Sequence, residues 1–190
     1  MMKAKKHPSQ ARRVPGRGVS LCASLTAFAL LTALLLFLSG CGQDGKDSDK
    51  KVITVPASDA VSAIMENAEV SSIDAVLSYG QEDFDRNFQK LYGMDIKLVD
   101  DGTFAYNSTG ASANEITVLR LKDAGDVEAC TKALEQRLAR RAQDFGGYRP
   151  EEAAKAQEGK VFACSNYVML AICEDSSAAR SAFMKFMQNA

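Results

Sequence analysis

KVFAC-SN-YVMLAIC, from Lys160 to Cys173, is the stretch whose reading decides the fold. Two runs rich in branched and aromatic residues flank Ser165-Asn166, a pair of turn formers. Lys160–Cys164 and Tyr167–Cys173 therefore read as an antiparallel hairpin with a tight turn. Side chains alternate across a strand, so such a turn groups Val168, Leu170 and Ile172 with Val161 and Ala163. Phe162, Tyr167 and Met169 then share the opposite face. Both faces are apolar, and that requires an explanation. Either helices from the start of the domain cover the second face, which is the expectation, or part of it is an apolar patch for a partner. The interaction surface in the second case would comprise Phe162, Tyr167 and Met169, with Tyr148 and Arg149 nearby.

Outward from the hairpin, Ser176 or Ser177 is placed to cap a final helix that turns Ala179, Phe183, Phe186 and Met187 inward. Upstream, Ala153–Glu158 reads as a short helix with Pro150 in its first turn. Before it, Asp126 opens a long helix that ends at Gly146-Gly147. Its apolar stripe is Val127, Cys130, Leu134, Leu138 and Phe145. Two more strands precede that helix, Phe104–Ser108 and Glu115–Lys122, joined by the small polar loop 109–114. The order strand, strand, helix thus occurs twice. It predicts an α+β domain: a two-layer sandwich with a mostly antiparallel sheet of about four strands and helices packed on it.

The first part of the domain is less sharply patterned. Ser58 or Asp59 is placed to cap a helix through Ala68. Val70–Leu77 is ambiguous. Gln81–Tyr92 reads as a helix closed by Gly93. Met94–Val99 is an edge strand or an extended connection, ending at the turn signal Asp100-Asp101-Gly102.

Further upstream the chain changes character. Residues 1–18 carry Lys3, Lys5, Lys6, Arg12, Arg13 and Arg17 and no acid, and Val19–Leu38 carries no charge. A basic region followed by an apolar one is the layout of a secretory signal. Leu38-Ser39-Gly40-Cys41 resembles the bacterial lipobox. The resemblance implies cleavage between Gly40 and Cys41 and a diacylglyceryl thioether on the Cys41 thiol. The anchor would be stable, since each buried methylene contributes ~0.8 kcal/mol. The alternative is an uncleaved membrane helix, for which Val19–Leu38 is long enough. Either way the rest of the chain faces outward. The expected layout is a signal peptide over 1–40, a lipidated cysteine with a polar tether over 41–51, and one globular domain over 52–190. As a flexible coil, the ten tether residues after Cys41 reach ~17 Å.

Removing the signal changes the charge. The chain has 23 basic and 24 acidic residues. Six of the basic ones lie in 1–40, leaving 17 basic against 24 acidic, a net −7. An acidic domain does not suit nucleic acid, which calls for a basic face. The one histidine is His7, in the signal, and tryptophan is absent. The mature domain therefore lacks the means for Ser-His or Cys-His nucleophiles and histidine-containing zinc sites. No catalytic residue, cofactor site or metal site is assigned. Cys130, Cys164 and Cys173 are expected as free thiols, because the turn at 165–166 sets Cys164 opposite Tyr167 rather than Cys173. Arg137, Arg140 and Arg141, near Arg149, would either hold an anion or answer the helix dipole, the simpler expectation. The loop 109–114 and the turn Tyr148–Glu151 are placed to line a cleft.

Several of these features together resemble a bacterial lipoprotein family. They are the lipobox, Leu91-Tyr92-Gly93, Ser112-Ala113-Asn114-Glu115-Ile116, the long helix running into Tyr148-Arg149-Pro150-Glu151, and Asn166-Tyr167-Val168. The family is catalogued as domain of unknown function 4358 and is found mainly in anaerobic Gram-positive bacteria. The likeness spans roughly residues 55–188. It implies a lipid-anchored protein on the outer face of the cell membrane, and no activity. Three functions stay open: a binding or interaction module for an envelope protein or small ligand, a histidine-free carboxylate enzyme, and a structural or stress-related lipoprotein without a ligand site.

Overall fold

The computed structural model describes residues 54–190. The expectations for the signal, Gly40, Cys41, the tether and a membrane helix at Val19–Leu38 lie outside the described residues. The described chain runs α1 (Ala57–Asn67), β1 (Ala75–Ser78), α2 (Phe84–Tyr92), β2 (Val99–Tyr106), β3 (Glu115–Leu121), α3 (Val127–Gly146), α4 (Pro150–Glu158), β4 (Lys160–Cys164), β5 (Tyr167–Ile172) and α5 (Ser176–Gln188). The strands form one antiparallel sheet in the order β1-β2-β3-β5-β4. The α+β class is as the sequence implies, with five strands instead of about four.

The hairpin has the expected register. Cys164 lies opposite Tyr167, Phe162 opposite Met169 and Val161 opposite Leu170. Ser165 makes the turn possible by taking a φ of 54°, an uncommon conformation for a residue other than glycine. The turn is then held against β3, where Asn166 donates to Leu121 O at 2.7 Å and accepts from Leu121 N at 2.8 Å.

Both sheet faces are covered, so the domain has three layers and not the expected two: both faces of the central strands are apolar, and each takes its own set of helices. Phe104, Leu119, Leu121, Val168, Leu170 and Ile172 pack with residues of α2, α3 and α4, among them Phe84, Phe88, Leu134 and Ala156. Ala105, Ile116, Val118, Tyr167, Met169 and Ala171 pack with α1 and α5 through Ala60, Ile64, Phe183 and Met187. The second face is covered, as expected, and two of the residues suggested for the alternative, an interaction surface, are not available to a partner. Tyr167 and Met169 are fully buried, because the first and last helices bring enough apolar side chain to cover the second face. Phe162 is half-buried, edge-on to Phe183 and beneath the Arg180 guanidinium at 4.4 Å.

Other differences have local causes. β2 begins at Val99, five residues before the expected Phe104, and ends at Tyr106 instead of Ser108. Asp100-Asp101-Gly102 is therefore strand and not a turn, with a register shift between Val99 and Asp101. Gly102 is needed there for space, since a Cβ would come 2.9 Å from Leu119 Cδ2 and 3.2 Å from Phe84 Cζ. The ambiguous Val70–Leu77 resolves into the short edge strand β1, and Ile96–Leu98 is a 3₁₀ turn. Asp175 caps α5, accepting from Ser177 N and Ala178 N, and Ser176 is already helical. At the start of α1 neither Ser58 nor Asp59 is the cap. The Ala57 N–H donates instead to the Asp101 carboxylate at 2.7 Å. Just before it, Val55 O accepts from Tyr167 Oη at 2.7 Å and Arg120 Nη1 at 3.1 Å.

Candidate functional site

The inward stripe of α3 is Cys130, Leu134, Arg137, Arg141 and Phe145. Its spacing is helical throughout, so two arginines are carried to the sheet along with the apolar side chains. They meet Glu115, the first residue of β3, which is fully buried. Arg137 Nη2 lies 2.7 Å and Nε 3.0 Å from Glu115 Oε2. Tyr92 Oη donates to Glu115 Oε1 at 3.0 Å and lies 2.7 Å from Thr117 Oγ1. Arg141 Nε stands 3.8 Å from the same carboxylate, and its Nη2 donates to Ser112 O at 3.0 Å. Arg140 is on the exposed face. Arg137 and Arg141 therefore answer a buried acid and not the helix dipole. Burial works against the charge of Arg137, and the Glu115 carboxylate outweighs it, so its pKa is raised. In Arg141 burial wins and the pKa is lowered, from a value far above neutrality. Burial also pushes the Tyr92 phenol well up.

A cleft of 220 Å³ opens over this cluster. Asn87, Lys90 and Leu91 of α2 form one wall. Tyr106 at the end of β2 and Asn107, Ser108 and Gly110 form the other, with Arg137 and Arg141 lining it from α3. The wall after β2 is shaped by Asn107, whose Oδ1 accepts from Thr109 Oγ1, Ala111 N and Ser112 N at 2.8–3.1 Å. Its Nδ2 donates to Ser72 O at 2.8 Å, and Gly110 completes the loop with a φ of 75°. The expected loop thus lines the cleft through Gly110, while the Tyr148–Glu151 turn does not. Arg149 donates to Ala111 O and braces the loop from outside. Tyr148 is 62% exposed beside Phe145.

A second polar cluster ties down the same end of the sheet. Glu152 accepts from Ala113 N at 2.6 Å and Ser112 Oγ at 2.9 Å. Glu174 accepts from Ser71 Oγ at 2.6 Å and from Asn114 Nδ2 at 3.1 Å. Lys155 Nζ bridges the two carboxylates at 3.1 and 3.2 Å. Burial raises both acids, and the hydrogen bonds more than offset it. Glu152 lies below the usual carboxylate range and Glu174 at about 2. Cys130, Cys164 and Cys173 are free thiols. Among the described residues no cluster of His, Cys, Asp or Glu is arranged to hold a metal ion, and no helix is long and apolar enough to cross a membrane.

Residues 74–173 match the model of the family described as Domain of unknown function (DUF4358). The chain belongs to this family. The DUF4358 segment contains all five strands and α2, α3 and α4, and with them every residue that lines the cleft. No curated protein and no solved structure matches the chain. Glu115 does not stand out as a site residue in the sequence. The available signal was an acid opening a mainly apolar strand, beside Ile116, Val118 and Leu119, together with two arginines in phase with Cys130, Leu134 and Phe145.

Proposed function

We propose that this DUF4358 protein is a binding module, lipid-anchored through Cys41 to the outer face of a bacterial cell membrane, that takes a small polar solute in the cleft between α2 and the loop after β2. The carrying observation is the cleft itself, where polar groups from three separate elements converge on a preformed concavity. Sites of this kind are where ligands bind. The volume suits a small solute, because drug-sized ligands occupy roughly 300–1,000 Å³.

Two observations favour binding over the other functions. Acid–base catalysis by two carboxylates needs environments that push their pKa values apart. The converging pair Glu152 and Glu174 is lowered in both members, and each acid is spent on loop N–H and hydroxyl groups. Of the five residues suggested for a protein-binding surface, Tyr167 and Met169 at its centre are fully buried and Phe162 is half-buried.

The test is a melting scan of the purified full chain against a panel of small solutes, both neutral and charged, alongside a pulldown from solubilised membranes. A solute that raises the melting temperature supports the proposal. A flat panel together with a captured partner protein would replace it with an interaction module. The anchor is tested by Cys41→Ala, which should leave the precursor unlipidated and uncut. Normal processing of that variant would refute the lipobox.

A further inference from the structure

We propose that the cleft selects an anion, a free carboxylate or phosphate on a small solute, bound by Lys90, Arg137 and Arg141. This deepens the binding-module proposal and rests on it.

The argument begins with an imbalance of charge. Three cationic side chains line the cleft, Lys90, Arg137 and Arg141, and no acid does. Behind them Glu115 is, among the described residues, the one carboxylate within 4 Å of either arginine. One carboxylate for two guanidinium groups leaves net positive charge in a partly desolvated place, where it acts more strongly than at the surface. Asp144 on α3 pulls on both arginines, but it is exposed and outside the lining. Asp74, beyond the loop, is engaged by Ser108 N at 2.7 Å and Asn107 Nδ2 at 3.2 Å.

The hydrogen bonds show the same surplus. Arg137 spends Nε and Nη2 on Glu115. Arg141 spends only Nη2, on Ser112 O. Its side chain is nine-tenths buried, yet its Nε is enclosed without a hydrogen-bond partner. The Nη1 atoms of Arg137 and Arg141 have no partner among the described residues and are not among the enclosed orphans. They therefore reach solvent from two residues that line the cleft. Lys90 forms no ion pair with a described residue. An arrangement serving only to neutralise Glu115 would need one arginine. Arg141 is held by Ser112 O and lies 5.1 Å over the Phe145 ring, yet it and Lys90 line the cleft with donor capacity that no described residue takes up. Guanidinium groups suit planar or tetrahedral oxyanions, since their donors form a fixed fork. A cleft of 220 Å³ is on the scale of phosphate or a short dicarboxylate and not of a drug-sized ligand.

The test uses the full chain in detergent, titrated calorimetrically with inorganic phosphate and with succinate, and with glycerol as the neutral probe. Sodium chloride matches the ionic strength. Lys90→Gln is the variant, because Lys90 is exposed and its loss leaves the fold intact. Phosphate or succinate should bind above the chloride background, and Lys90→Gln should weaken that binding at least threefold. The proposal is overturned if neither anion binds, or if Lys90→Gln binds as tightly as the parent chain. Glycerol or another neutral solute binding in place of the anions would remove the charge selectivity and leave the binding module standing. Failure of every solute would remove both.

Discussion

Replacing Glu115 with glutamine is the most informative perturbation. The carboxylate is fully buried and accepts from Tyr92 Oη at 3.0 Å and from Arg137 at 2.7 and 3.0 Å, with Arg141 Nε at 3.8 Å. Glutamine keeps the shape and one acceptor. It removes the charge and turns an amide donor toward guanidinium donors. Two buried cations then lack a counter-ion. Stranding one partner of a buried pair costs about 3–5 kcal/mol, a large part of the roughly 5–15 kcal/mol that holds a typical domain together. At roughly 3 °C per kcal/mol for a domain of this length, the melting temperature should fall by about 10–15 °C. Urea unfolding followed by far-UV circular dichroism reads the loss directly and suits a chain without tryptophan. In a double-mutant cycle with Arg137→Gln the two losses should fail to add by more than about 1 kcal/mol, since the residues touch. Phosphate should restore more stability to Glu115→Gln than it adds to the parent chain. A loss below about 1 kcal/mol, with additive effects in the cycle, would show that Glu115 is not the counter-ion on which this end of the sheet depends.

Glu174 has a folded pKa of about 2 against an ordinary 4.5, so its contribution is complete above about pH 4.5 and is lost as the pH falls through 2. After solvent screening that is about 1 kcal/mol; Glu174→Gln should flatten the acid limb of the stability profile, and an unchanged limb would contradict the assignment. Burial pushes the Cys130 thiol to about 12 and raises Cys173. Iodoacetamide at pH 8 should therefore label the half-buried Cys164 first and the other two only on unfolding, as peptide mass spectrometry would show; equal rates would disprove the buried-thiol description. At Gly159 a Cβ would meet Leu138 Cδ1 at 2.8 Å and the carbonyl oxygens of Ala156 and Ala171 at 3.0 Å. Gly159→Ala should cost about 1–3 kcal/mol in urea unfolding, and a neutral result would show that α4 and β4 yield easily.

The parts of the fold legible in the sequence are those where one local rule acts alone. The hairpin register and its two faces follow from a two-residue turn and strand alternation, and both are found as read. The length of α3 follows from its period and the glycine pair at its end. The misread places are those where a distant contact overrides a local signal. Asp100-Asp101-Gly102 has turn composition, yet pairing with β3 draws it into β2. α1 has no local cap because its first N–H is satisfied by Asp101, 44 residues away. The candidate site was half visible for the same reason. The loop could be named from its composition. The arginines were seen, and their role was not, because their partner lies on β3, 22 residues from Arg137.

The grip on Val55 has a mechanical consequence. Tyr167 and Arg120 hold its carbonyl, and Asp101 holds the next turn, all at the end of the sheet where β2 begins. The cleft lies at the other end, past Tyr106. Five residues of strand separate the two, about 17 Å at the usual rise. A pull applied through the chain at Val55 would load Tyr167, Arg120 and Asp101 together, and none of them lines the cleft. The contacts that hold Val55 and Ala57 and those that shape the cleft are therefore separate sets, with no residue serving both.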